Sequence, residues 1–266
     1  MVRIRIFKIA FILTLSLLVS AFLVLRTSWA EENKCIACHA QFNEPAKSVH
    51  AALKTGCETC HIQVEGKKHP DDKKSVGLIQ KMPDLCFNCH KKSSFEGKSV
   101  HSLGGMCLSC HDPHRSNYSK LLRNESQDLC FTCHDKAKFT KKNVHSIIRT
   151  AGCTACHNPH ASEFPYLLSD SPYKICSTCH AKKEKEIHVV ALPGGKRHPI
   201  AGVTDPSTVK FIKVPDPANP KKLVEVPDPE TPGKPMTCTS CHDPHSSDFD
   251  NLWVTERICQ KCHHKF

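Results

Sequence analysis

Asp128-Leu129-Cys130-Phe131-Thr132-Cys133-His134-Asp135-Lys136 repeats an earlier stretch, Asp84-Leu85-Cys86-Phe87-Asn88-Cys89-His90-Lys91-Lys92. At the centre of both stands Cys-x-x-Cys-His. Working outward, the same pentapeptide occurs at Cys35-Cys38-His39, Cys57-Cys60-His61, Cys107-Cys110-His111 and Cys153-Cys156-His157. It returns at Cys176-Cys179-His180, Cys238-Cys241-His242 and Cys259-Cys262-His263. These nine motifs use all 18 cysteines of the chain. Two thiols at this fixed spacing add across the two vinyl groups of one porphyrin, and the adjoining histidine lies beneath the iron as its proximal ligand. Zinc sites use cysteine pairs two at a time, and an odd number of pairs does not divide that way. A disulfide framework leaves the nine histidines without a purpose. The pattern predicts nine covalently attached c-type haems.

Five of the motifs begin at residues 86, 107, 130, 153 and 176, a period of 21 to 23 residues. A longer unit of two motifs is superimposed on it. Its second half reads Cys-His-Asp/Asn-Pro-His, as in His111-Asp112-Pro113-His114, His157-Asn158-Pro159-His160 and His242-Asp243-Pro244-His245. A bulky pair then follows: Leu121-Leu122, Leu167-Leu168 and Leu252-Trp253. This alternation resembles the doubled-CXXCH family of multihaem cytochromes c, closely over 84–192 and 236–266 and more loosely at the first two motifs. The resemblance implies an electron carrier, not an enzyme, with no catalytic residue.

Ten histidines remain beyond the proximal nine. Val49-His50, Val100-His101 and Val144-His145 each lie 15 residues after the first cysteine of an odd-numbered motif. His69, His114, His160 and His245 follow even-numbered ones, and His264 adjoins the last. After the seventh motif the choice lies between His188 and His198, with His188 preferred because Ile187-His188 keeps a branched residue before the ring. This gives a distal candidate for every iron. His114 stands three residues from His111, a reach of about 10 Å even when extended, too short to round the porphyrin to the opposite face of the same iron. Such histidines must serve other haems. Two imidazoles leave no open coordination position, which favours electron transfer at low potential, as anaerobic respiration requires. The alternative reading is a nitrite, hydroxylamine or sulfur-oxyanion reductase with one five-coordinate haem. Another is a filament-forming subunit.

Arg3, Arg5 and Lys8 precede an apolar run from Ile9 to Leu25, and Ser28-Trp29-Ala30 has small residues at the cleavage positions. Residues 1–30 therefore read as a signal peptide, or as an anchor if retained, and the protein is expected in the periplasm, at the outer membrane or outside the cell. The formal charge of +11 does not indicate nucleic acid. Without the leader it falls to about +7, and haem propionates bring the loaded protein below zero. The partners expected are redox proteins: a quinol dehydrogenase, other cytochromes, or a reductase or outer-membrane complex, with a homo-oligomer possible.

With aromatics at 6%, the chain is too poor in large apolar residues for an ordinary core of its length. The expected fold is short α-helices and irregular loops around stacked haems, with little β-structure. The organisation is 1–30 leader, 31–83 two motifs, 84–192 doubled repeats with five motifs, 193–236 insertion and 237–266 two motifs. The insertion holds ten of the 18 prolines. Its alternating runs Val209–Val214 and Leu223–Val226 suit a small hairpin within 205–228 or an extended proline-rich flap, either a tolerated surface insertion or a docking surface for a redox partner or neighbouring subunit.

Overall fold

The computed structural model describes residues 34–103 and 105–263. The leader at 1–30 and His264 lie outside them. Helical structure comes in single turns: α1 Asp84–Phe87, α2 Ser126–Phe131, α3 Ser146–Thr150, α4 Pro172–Ser177 and α5 Lys182–Lys185, with short 3-10 turns at most other motifs. None of the described helices is long and apolar enough to cross a membrane.

Among the described residues ten short strands pair as five two-stranded ladders. In chain order they are β1 Ser48–Val49, β2 His61–Gln63, β3 Val76–Leu78, β4 Ser99–Val100, β5 Arg115–Ser116, β6 Asn143–Val144, β7 Ala161–Ser162, β8 Phe211–Asp216, β9 Asn219–Pro227 and β10 Ser246–Ser247. Three ladders are two-residue clamps of one design: β1 with β5, β4 with β7, and β6 with β10, all antiparallel. Each holds a Val-His segment against the residues after an Asp/Asn-Pro-His turn. The register continues through the histidines, since His50, His101 and His145 donate their backbone N–H to the carbonyls of His114, His160 and His245 at 2.9–3.0 Å. β8 and β9 form the hairpin expected in the insertion, with Ile212 opposite Val226 and Val214 opposite Val224. Ile212, Val214, Val224 and Val226 share one face through the two-residue period of a strand.

The chain divides into two compact units. One comprises residues up to Lys81 together with His111–Arg123; the other comprises Met82–Cys110 and Asn124 onward. In neither is there an aliphatic core of ordinary size. Among the described residues the buried apolar side chains are Ile148, Ala161 and Met236, and the buried polar ones Ser75, Asp205, Ser246 and Ser247. Serines at the β10 clamp are therefore more enclosed than almost any leucine. The expectation of irregular loops without a conventional core describes this fold.

Candidate metal centres

Each motif folds as one turn for a geometric reason. Residues i, i+3 and i+4 of a helical turn share a face, so both thiols and the histidine point the same way. The closing bond recurs: the histidine N–H donates to the carbonyl of the first cysteine at His39, His90, His134, His157, His180, His242 and His263, at 2.8–3.1 Å.

Successive motifs bring their sulfurs together. The Cys130 thiol donates to Cys153 and that of Cys176 to Cys238, which with burial pushes Cys130 and Cys176 upward. Cys153 and Cys238 are pulled down, to about 6 and about 7, chiefly by accepting those bonds. Burial, then the bond to Cys57, raises Cys35 in the same way. Groups attached at these neighbouring motifs would lie side by side.

The second imidazoles come from elsewhere in the chain. In the first unit His39 faces His69 with ring centroids 6.0 Å apart and planes at 16°. His61 faces His114 at 6.0 Å and 11°. In the second unit His134 faces His101 at 6.3 Å and 62°, and His180 faces His145 at 6.1 Å and 25°. His157 faces His245 at 6.0 Å and 17°. His242 faces His188 at 5.9 Å and 44°, and His263 faces His198 at 6.2 Å and 71°. Two imidazoles on opposite sides of one metal, each at a bond of about 2 Å and with about 1.1 Å from nitrogen to ring centre, put their centroids about 6.2 Å apart. The observed spacings match that value and are too long for direct stacking. Among the described residues no group of three or more His, Cys, Asp or Glu converges as zinc would require.

A direction is visible in these pairs. His101 and His145 each reach forward from one odd-numbered motif to the proximal histidine of the next. His114 and His245 each reach back from one even-numbered motif to the previous one. His188 and His198 both face the rings of motif histidines, His242 and His263, so the geometry does not select one of the two. Nδ1 of His188 is the buried side-chain polar atom that lacks a partner among the described residues.

The proximal rings are oriented by a repeated loop. Nδ1 of His111, His157 and His242 donates to the carbonyls of Lys120, Tyr166 and Asn251 at 2.9, 2.8 and 2.7 Å. This leaves Nε2 as the free lone pair, the tautomer a metal needs. Those carbonyls are aimed by residues in the left-handed region, Lys120 and Leu121, Tyr166 and Leu167, Asn251 and Leu252, with φ between 52° and 60°. Left-handed backbone costs about 1–2 kcal/mol per non-glycine residue, so six such residues at three matching places mark a geometry held against strain. The bulky pairs noted in the sequence close this loop: Asp112, Asn158 and Asp243 donate their N–H to the carbonyls of Leu121, Leu167 and Leu252.

The distal rings are held by the Asp/Asn-Pro-His turn and by phenylalanine. Oδ1 of Asp112, Asn158 and Asp243 accepts the backbone N–H of His114, His160 and His245 at 2.9–3.1 Å. Phe42, Phe95 and Phe139 then pack on those imidazoles with centroids 4.6, 4.8 and 4.9 Å away. Burial lowers the pKa of His114 and His245, opposed by Asp112 and Asp243; burial and then His242 lower that of His188. All three are held toward the neutral form that binds metal.

Sequence reasoning missed the phenylalanines. Their signal was present, since Phe95 and Phe139 each lie five residues past a proximal histidine in otherwise matching repeats.

A family model described as "Doubled CXXCH motif" matches residues 50–95, 102–139, 145–185 and 231–266, more than half of the chain. Comparison with curated proteins finds no match.

Proposed function

The chain belongs to the doubled CXXCH family, multihaem c-type cytochromes that bind haem covalently and transfer electrons, and on that premise we propose a nine-haem relay with two histidines on every iron. The facing imidazole pairs carry this reading. The cysteines would form the thioether bonds; His39, His61, His90, His111, His134, His157, His180, His242 and His263 would supply the proximal nitrogens. A distal role for His69, His114, His101, His145, His245, His188 and His198 is supported by ring centroids 5.9–6.3 Å from those of motif histidines. His50 occupies the repeat position of His101, and His160 that of His114, so nine distal nitrogens are available without His264.

When bound, haem would supply one-electron chemistry between ferric and ferrous iron; the paired histidines would hold the iron and exclude competing ligands. The side-by-side sulfurs of neighbouring motifs favour short transfer distances. The physiological role that fits is low-potential electron relay in anaerobic respiration, after export to the periplasm, between redox protein partners such as a quinol dehydrogenase and a reductase or outer-membrane complex.

Intact mass of the exported protein tests the count. The expected value is residues 31–266 plus nine haems, with two thioether links each. A mature product with fewer haems, or one retaining zinc, contradicts it.

A further inference from the structure

The insertion is more than a surface loop. At its entrance Ala191 bridges Arg197, and Arg197 Nη1 donates to the carbonyls of Lys185 and Glu184 at 2.5 and 3.2 Å. This turn presents His198 to His263. Its two ends then pair: Asp205 N–H donates to Lys234 O and Met236 N–H to Val203 O, both at 2.8 Å. Gly233, at φ +89°, lies so close to Thr204 and Val209 that an added Cβ would come within 2.7–2.9 Å of their methyl groups. The seam is therefore tight, and it encloses Met236 and Asp205, at 7% and 2% exposure.

Asp205 is the buried acid among the described residues. Its Oδ1 accepts the N–H and the hydroxyl of Ser207 at 3.0 and 2.7 Å. The same oxygen lies 3.8 Å from Sγ of Cys262, the second attachment sulfur of the last motif. Burial opposes ionisation, but the hydrogen bonds of Ser207 and Ser240 and the nearby Lys261 ammonium outweigh it and keep the carboxyl below its ordinary value. Lys261 is itself held in place, with Nζ donating to Ser240 O at 2.5 Å.

We propose that the insertion is a tuning cap for the last haem, in which His198 supplies the distal nitrogen and the buried carboxylate of Asp205 lowers that haem's reduction potential. The proposal rests on the reading that Cys259-Cys262-His263 carries a haem. A fixed anion against an attachment sulfur favours the more positive, ferric state, and burial leaves little water to screen it. Reduction by one electron removes one positive charge at the iron, so the anion opposes it. Lys261, whose ammonium also acts on this carboxylate, would act on the haem in the opposite sense.

Spectroelectrochemical titration of the fully loaded, full-length protein tests this, with Asp205→Asn and Lys261→Gln as variants. Intact mass and low-temperature EPR confirm haem count and spin state in each. Asp205→Asn is expected to move the transition of the last haem most, to higher potential, with the eighth, whose attachment sulfur Cys241 also feels this carboxylate, shifting less and the other seven staying in place. Lys261→Gln is expected to move the same transition down, and it keeps the test open if the first variant does not accumulate. A normal haem count with no transition moved, or with all moved alike, overturns the tuning role. Wild-type protein lacking haem at the last motif would instead overturn the nine-haem reading on which it rests.

Discussion

Residues 84–192 and 193–236 solve the same problem by opposite means. In the repeats, a distal imidazole is delivered by spacing: a Val-His or Asp/Asn-Pro-His at a fixed offset, clamped by a two-residue ladder, reaches one repeat forward or back. The segment has almost no core of its own, so its order depends on what its cysteines hold. In the insertion, His198 is delivered by a small structure with its own closed seam, its own hairpin and a buried carboxylate. Periodicity makes ligands cheap to place but leaves every site alike; leaving the period allows one site to differ.

The largest effect should come from removing an attachment in the repeats. Cys130→Ala with Cys133→Ala is expected to eliminate one haem by mass and to melt the neighbouring clamps, since among the described residues there the buried apolar side chains are Ile148 and Ala161. Loss of most of the thermal transition should follow. Replacing the hairpin Phe211–Pro227 with a short glycine linker should leave nine haems and a similar melt, because the seam at 203–205 and 234–236 lies outside it. Equal damage from both changes would erase the contrast.

A smaller effect is expected from single ligands. His145→Ala in the repeats and His198→Ala in the insertion should each produce one high-spin haem per chain, visible by EPR. If His198→Ala leaves every iron low-spin, the insertion is not a ligand arm and the comparison fails on that side.

The smallest effect tests ring orientation. Phe139→Leu keeps apolar volume but removes the aromatic contact with His245, worth about 0.5–1.5 kcal/mol for such pairs. A melting temperature lowered by a few degrees, with the haem count unchanged, is expected. No change would mean that the Asp243 turn alone fixes His245.

Much of this was legible in the sequence because haem attachment and strand alternation are local. Cys-x-x-Cys-His names its own chemistry, and Val209–Val214 with Leu223–Val226 foretold β8 and β9. What the sequence concealed was tertiary. Nothing local to His145 says that its ring meets His180, and nothing in Arg197-His198-Pro199 says that the Arg197 guanidinium will bind the carbonyls of Glu184 and Lys185 in a turn that faces His198 toward His263. The left-handed carbonyls of Lys120 and Tyr166 were hidden for another reason, since neither residue type announces positive φ. Only Asn251, in the third copy, does so.

Low-temperature EPR of the fully oxidised protein tests the central claim most directly. Facing imidazole pairs predict low-spin ferric signals integrating to nine irons per chain, unchanged by added cyanide or nitrite. A stoichiometric high-spin signal that shifts on adding either anion would mean that one iron keeps an open position, and the account of a closed electron relay would be wrong.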